Sequence, residues 1–301
     1  MSDLTTILSS SVRLTAPLAF AGAGEYVAER GGSLIISIEG MMLSGAFFGI
    51  LGSSIFDNAA LGLVVGMFAG LVVAWIHAQF SHRLDANTFV VGLTLNILAL
   101  GLTSFLLETI DMTPRRAGEW SIPGLREIPI IGEPFFVNRW PIYLLLIVVP
   151  VSWFLVQRTR WGLELRACGE DPQAADVTGI DVNKRRRQGV YYVGLMAGLG
   201  GAVLSVAQVG LFNQNMTAGR GFIVNAAVIF GGWRLSGTMA GCALFGTMEG
   251  LRLALPALGY DIQPQLLIVA PYLAALLALC FFAKRNRKPE ALAVPFVRGI
   301  A

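Results

Sequence analysis

The chain has 301 residues, of which 55% are hydrophobic and only 14% are charged. Soluble domains carry about 25% charged residues, so 22 Lys and Arg with 19 Asp and Glu cannot cover the surface of a soluble fold of this length. The net charge of +3 is small and comes from cations clustered in short segments, which does not indicate nucleic-acid binding. The composition predicts an integral membrane protein.

Nine segments are apolar enough and long enough to be membrane helices, which need about 20 mainly apolar residues. In chain order they are 4–24, 33–55, 59–80, 86–109, 139–157, 188–211, 217–233, 236–255 and 265–283. Segment 217–233 is the weakest, because only Phe222–Phe230 is strongly apolar, and this favours a half-length or broken helix. We predict one all-α polytopic membrane domain over residues 1–301, with about nine transmembrane helices (eight to ten).

Lys and Arg in short loops predict the orientation, because they are enriched on the cytoplasmic side of a membrane. Segment 158–187 contains seven of them and residues 284–288 contain four more. We therefore expect the loop 158–187 and the tail 284–301 to be cytoplasmic, and the N-terminus to be extracytoplasmic. An even number of crossings must separate the loop from the tail, so 217–233 is expected to cross. The connection 111–138 then falls outside, and its four prolines predict an irregular conformation.

A short helix is predicted within the cytoplasmic loop. Asp171 is a suitable N-cap, Pro172 suits the first turn, and Gly179 suits the C-terminal cap. A rigid helix between two membrane crossings is well suited to docking into a groove on a soluble partner. A solvated loop that contains one helical turn explains the same residues equally well.

Five sequence blocks stand in a fixed order over most of the chain. They are Glu29-Arg-Gly31 with Ile38-Glu-Gly-Met-Met42, Gly92-Leu-Thr-Leu-Asn96, Gly169-Glu-Asp-Pro-Gln-Ala-Ala-Asp176 with Gly179-Ile180, Asn215-Met-Thr-Ala-Gly-Arg-Gly-Phe222, and Ala227-Val-Ile-Phe-Gly231. Together they resemble the permease subunits of bacterial ABC importers in the ribose and branched-chain amino acid group, particularly its nucleoside and simple-sugar branch. Gly232-Trp-Arg234 departs from the family's pattern, which puts the local turn in doubt.

The resemblance implies a membrane-spanning transport subunit, not an enzyme, that moves a nucleoside or simple sugar across the bacterial inner membrane. It implies three partners: a cytoplasmic ABC ATPase, a second permease subunit (a paralogous chain or a second copy) and an extracytoplasmic solute-binding protein. ATP and Mg²⁺ would be bound by the ATPase, and we expect no cofactor on this chain. None of its lysines (Lys184, Lys284 and Lys288) follows Gly, as a Walker A motif requires.

The resemblance also implies that the loop block couples the permease to the ATPase. The residues that carry this role are Gly169, Glu170, Asp171, Pro172, Ala174, Ala175, Gly179 and Ile180.

Polar and aromatic side chains at membrane depth are candidates for the substrate path. Nucleosides and sugars present hydroxyls and ring nitrogens without a net charge, so amides and aromatic faces would suit weak, transient binding. The candidates are Glu39, Phe47, Asn96, Asn215, Phe222 and Asn225. Hydrogen bonding between helices is the alternative interpretation of the Glu and Asn residues.

An ion-coupled secondary transporter of a small polar solute is the alternative function, and it would normally have ionisable residues deep in the membrane for ion coupling. Glu249 and Arg252 lie three residues apart on one predicted helix and are expected to form an ion pair. The three cysteines are far apart and have no neighbouring His, so we expect no metal site.

Overall fold

The described part of the chain is mostly helical. The structure, a computed structural model, describes residues 3–121, 124, 127–128, 132–259, 269, 273 and 288–297. Its elements are α1 (Asp3–Arg30), α2 (Ile38–Ile55), α3 (Ala59–His82), α4 (Thr88–Thr109), β1 (Glu119–Ser121), α5 (Gly132–Phe136), β2 (Val137–Arg139), a 3-10 turn (Trp140–Leu144), α6 (Leu145–Arg158), α7 (Arg160–Glu170), α8 (Pro172–Val177), α9 (Val182–Ala202) with a π-helical extension (Val203–Val209), α10 (Arg220–Phe230) and α11 (Leu235–Ala257).

Most of each predicted membrane segment that the structure describes is helical. Eight of the nine coincide with α1, α2, α3, α4, α6, α9, α10 and α11, and the ninth, 265–283, lies almost entirely outside the described residues. Within the described ranges, five helices are long and apolar enough to cross a membrane: α2, α3, α4, the segment Trp140–Arg158 and the segment Val182–Val209.

The outer helices expose many large apolar side chains, which a soluble protein would not leave in contact with water. On α4 and α6, Ile97, Phe105 and Leu146 are each more than half exposed. The buried share is 78% in α2 and 83% in the segment Val182–Val209, but only 28% in α3, 33% in α4 and 22% in the segment Trp140–Arg158. The bundle therefore has an interior built on α2 and α9 and a lipid-facing periphery.

Glycines set the distance between the interior helices. A methyl group added at Gly70 of α3 would overlap the carbonyl oxygen of Gly194 in α9, and one added at Gly198 would overlap the carbonyl oxygen of Gly66. Small residues allow membrane helices to approach at backbone distance, where dispersion contacts and weak hydrogen bonds are strongest. The close packing of α3 against α9 therefore depends on these glycines.

Two predictions about the connections were wrong in part. The connection 111–138 contains an antiparallel pair, β1 with β2, in which Trp120 is opposite Asn138. The prediction of an irregular segment rested on prolines, of which Pro114 precedes β1 and Pro134 lies in α5. In segment 158–187 the predicted short helix is present as α8, but the segment is not otherwise a loop, because α7 and the first turn of α9 occupy most of the rest. Thr159 caps α7 by accepting a hydrogen bond from the amide of Gly162 at 3.0 Å.

The weak segment 217–233 is only partly helical. Helix α10 covers Arg220–Phe230 and ends at a turn in which Trp233 has a φ of 53°. Residues 210–219, which precede it, lie outside any helix or strand. The expectation of a half-length helix is therefore confirmed.

Replacing Gly70 by Leu should destabilise the bundle by about 1–3 kcal/mol or more, because the side chain has no space between α3 and α9. The matched control is Gly101→Leu on α4, where no atom lies within 4 Å of an added Cβ. The check is the apparent Tm of the detergent-solubilised protein: equal Tm values for the two variants would contradict the packing described here.

Candidate functional site

The chain from α9 to α11 runs back along α1 over a distance comparable to the thickness of a membrane core. At the end of α9, Gln208 donates a side-chain hydrogen bond to the carbonyl oxygen of Arg13. After α10, the indole of Trp233 donates to Glu29 at 2.5 Å. Arg13 and Glu29 are 16 residues apart on one helix, which corresponds to about 24 Å. Residues 210–233 therefore return along α1 with a non-helical first half and a helical second half.

The carboxylate of Glu39 binds the chain where the non-helical half of 210–233 ends and α10 begins. It accepts hydrogen bonds from the hydroxyl of Thr217 (2.6 Å), the amide of Gly219 (2.8 Å) and the amide of Gly221 (2.6 Å). Glu39 is 7% exposed, so these bonds form in a largely dry environment. An acidic group at the first turn of α10 satisfies orphan amides and interacts favourably with the helix dipole.

Gly221 is essential to this contact. An added Cβ would lie 2.5 Å from the Glu39 nitrogen and 2.6 Å from its Cα, so α10 touches the α2 backbone directly. The Ile38–Met42 block and the Asn215–Phe222 block, noted separately in the sequence, thus form one structural unit.

Asn96 on α4 and Asn225 on α10 both bind the backbone at the start of α2. The amide group of Asn96 accepts from the amide of Gly40 at 2.8 Å and donates to the carbonyl of Ile36 at 2.9 Å. Asn225 donates to the carbonyl of Ile35 at 3.3 Å, while its buried Oδ1 has no partner in the described structure. Both polar side-chain atoms of Asn96 are therefore hydrogen-bonded, which supports the interpretation that this residue links two helices.

The remaining path candidates lie around this unit. Phe47 is fully buried and packs edge-to-face against Phe48 and Phe212, with ring centroids 5.2 Å apart in each case. Asn215 and Phe222, at either end of their block, are exposed. The structure thus brings Glu39, Asn96 and Asn225 together and leaves Asn215 and Phe222 on an open surface.

Two fully buried carboxyl groups at the end of α1 were missed as candidates. Glu25 accepts from the amide of Ile35 at 2.9 Å, and Glu29 accepts from Trp233. The two carboxyl groups lie one turn apart, and Glu25 Oε2 and Glu29 Oε1 are buried without a hydrogen-bond partner in the described structure. They fix the turn after α1 and the turn after α10, including the Gly232–Arg234 departure noted in the sequence.

An ion-pair cluster joins α10 to α11. Glu249 accepts from Arg252 at 2.6 Å, as predicted, and also from Arg220 at 3.0 Å. Arg220 begins α10 directly beside the Glu39 contact, so the same turn is held from both α2 and α11.

The predicted cap of the short helix in 158–187 is present at α8. The side chain of Asp171 accepts from the amide of Ala174 at 2.9 Å, Pro172 occupies the first position of α8, and Gly179 has a φ of 90°. Helix α8 has two distinct faces. Pro172 and Ala175 are buried, whereas Ala174 is exposed and Val177 is 87% exposed. Sequence reasoning missed Val177 and did not separate the two alanines.

Helix α7 fastens α8 to the bundle. The end of α7 lies against the end of α1. If any other residue replaced Gly169, its Cβ would overlap the carbonyl oxygen of Arg30. The Arg30 guanidinium also lies 3.7 Å from the Glu170 carboxylate. Ile180, at the end of the loop block, is half-buried and packs near Ala175. Among the described residues, no group of three or more His, Cys, Asp and Glu could hold a metal ion.

Replacing Glu39 by Gln should weaken the hold on α10 by about 2 kcal/mol or more, because an amide offers one acceptor and points its own donors at backbone amides. The control is Glu108→Gln, which changes an exposed carboxylate at the end of α4. We expect the first variant alone to lower the apparent Tm and to make a cysteine introduced for Asn215 react faster with a maleimide. Unchanged Tm and reactivity would show that Glu39 does not anchor α10.

Comparisons with known proteins match nearly the whole chain. The family model described as a permease component of branched-chain amino acid transport systems matches residues 7–286. The guanosine ABC transporter permease NupQ of Bacillus subtilis is 35% identical, with 99% of each chain covered. The nucleoside ABC transporter permease NupC of Lactococcus lactis is 33% identical with the same coverage. The ribose import permease RbsC of Escherichia coli is 30% identical over 64% of this chain and 59% of its own length.

Proposed function

The chain belongs to the family of permease components of branched-chain amino acid transport systems, and we propose that its cargo is a nucleoside or, as the second choice, a simple sugar. It is the membrane-spanning subunit of an ABC importer, and the energy for import comes from ATP hydrolysed by a separate subunit. The substrate proposal rests on the guanosine and nucleoside permeases, which resemble this chain over its whole length.

We propose that residues 210–233 cross the membrane, because of the path that this segment takes along α1. It returns from the level of Arg13 to the level of Glu29 on α1. Non-helical backbone inside a membrane requires that its polar groups find partners in the protein, and Glu39 supplies them for Gly219 and Gly221. With this crossing and the segment 265–283 we propose nine crossings, which put the two termini on opposite sides of the membrane. The Lys and Arg of 158–187 and 284–288 favour an extracytoplasmic N-terminus, with 158–187 and the C-terminus in the cytoplasm.

The substrate path runs along the open side of α10 and is completed by a second permease subunit. Phe222 is 44% exposed at the start of α10, and Asn215 is exposed just before it. An aromatic face beside an amide suits a nucleobase or a sugar. A discontinuous helix with its N-terminus in the middle of the bundle is also a common way to build a transport site. A solute-binding protein would deliver the substrate from the extracytoplasmic side.

Helix α8 couples the permease to the ATPase. Its exposed face presents Ala174 and Val177, small and apolar, while its caps keep the helix intact in water. An exposed apolar side chain on a capped helix is suited to a groove on a partner protein. Ala175 faces inward, so its role in coupling is to support α8.

Replacing Val177 by Asp should uncouple the importer, because a carboxylate would be buried in the ATPase groove. We expect ATP-dependent uptake in vesicles to fall about tenfold or more, the effect of one poorly compensated charge at an interface. Val177→Ile is the matched control and should transport normally. Normal uptake by Val177→Asp would show that α8 does not dock in this way.

The transport reaction itself is tested with the chain reconstituted together with its ATPase, second permease subunit and solute-binding protein. Uptake of a labelled nucleoside should require ATP and should persist when ion gradients are collapsed. Uptake driven by an ion gradient without ATP would favour the secondary transporter. ATP-driven uptake of ribose without nucleoside uptake would support the ABC importer mechanism but show that the substrate is a simple sugar.

A further inference from the structure

The C-terminal segment 288–297 lies against the cytoplasmic helices of the bundle. The amide of Ala291 donates to the carbonyl of Gly169 at the end of α7 at 3.0 Å. The amide of Ala293 donates to the carbonyl of Gly32, just after α1, at 2.9 Å. These backbone bonds place the segment between two elements that are far from it in sequence, so it is part of the folded structure.

A buried arginine depends on this segment. Arg186 of α9 is 1% exposed, and its guanidinium donates to the carbonyls of Val294 (2.6 Å), Cys168 (3.2 Å) and Ala291 (3.3 Å). Two of the three acceptors belong to the C-terminal segment. A buried cation that loses its acceptors is strongly destabilising, so Arg186 and the segment hold each other in place.

Phe296 extends this contact to the underside of α8. It is 7% exposed and packs with Cys168, Ala175 and Val182 in one apolar cluster. The inward face of α8 offers only two buried residues, Pro172 and Ala175, and a helix of six residues has little stability of its own. Phe296 therefore fills the space between α8 and the first turn of α9.

We propose that the C-terminal segment 288–297, called the wedge below, positions α8 for energy coupling. It packs against α7, α8 and α9 and so keeps α8 from moving relative to the other two helices. The proposal rests on the proposed docking of α8 to the ATPase. A force on the exposed face of α8 passes through Phe296 and Arg186 to α9 and through Gly169 and Gly32 to α1. Without the wedge, α8 bends locally and the membrane helices do not follow.

The first test is Phe296→Ala in the complete importer, with Val297→Ala as the matched control because Val297 is 42% exposed. We expect Phe296→Ala to lower the substrate transported per ATP hydrolysed about tenfold, a size typical of changes along a coupling path, while assembly and ATP hydrolysis persist. Phe296→Leu, which refills the space, should recover most of the ratio. An unchanged ratio in Phe296→Ala overturns the proposal.

The second test measures the wedge without transport. Burial raises the pKa of Cys168 to about 11, so at neutral pH its thiol is both covered and protonated. In a chain with Cys242→Ala and Cys280→Ala, we expect Phe296→Ala, but not Val297→Ala, to accelerate labelling of Cys168 by a maleimide. Equal labelling rates would show that Phe296 does not cover this site and would also overturn the proposal.

The two sets of variants distinguish failure of the proposed docking of α8 from failure of the proposal for the segment 288–297. If Val177→Asp uncouples but Phe296→Ala transports normally with Cys168 exposed, α8 docks and the wedge is dispensable. If Val177→Asp transports normally, the docking role of α8 fails first, and the wedge proposal fails with it.

Discussion

The carboxylate of Glu39 makes the central interaction of this structure. It provides three hydrogen bonds to a chain segment that would otherwise enter the middle of the bundle with unsatisfied amides. A buried amide without a partner is costly in a membrane interior. Without Glu39 the half-helix α10 has no fixed starting point, and the return of the chain along α1 loses its support.

The contacts around Glu39 extend to four other helices. Asn96 on α4 binds the first turn of α2, and Asn225 on α10 binds the backbone just before it. Arg220 connects the same turn to Glu249 on α11, while Trp233 ties the far end of α10 to Glu29 on α1. These polar side chains therefore fix α10 to its neighbours in the bundle. Asn215 and Phe222, by contrast, are exposed.

The region around α8 is built from shorter elements. Val177 of α8 is exposed, while Ala175 is buried in the apolar cluster that contains Phe296. Helix α7 lies against the end of α1 through Gly169, where no larger residue fits. Helix α8 is thereby linked to α9 and to α1, and α1 also packs against α10.

The predictability of these features depends on how local they are. The cap at Asp171 and the end of α8 at Gly179 were predictable, because capping is decided within a few residues. The bond from Glu39 to Gly221 was not, since 182 residues separate its partners and only folding brings the two blocks together. The strands β1 and β2 have three residues each, too few to show an alternating pattern. The role of 288–297 had one signal, the apolar run from Ala291 to Phe296 after a basic stretch.

The central claim is that a docked α8 and the half-helix α10 belong to one mechanically connected permease. The most direct test is an experimental structure of the assembled importer in a lipid nanodisc with a non-hydrolysable ATP analogue. The account predicts Val177 in a groove of the ATPase, Glu39 within hydrogen-bonding distance of the Gly219 and Gly221 amides, and α10 facing the second permease subunit. An ATPase that contacts the chain away from α8, or an α10 facing lipid, would contradict it.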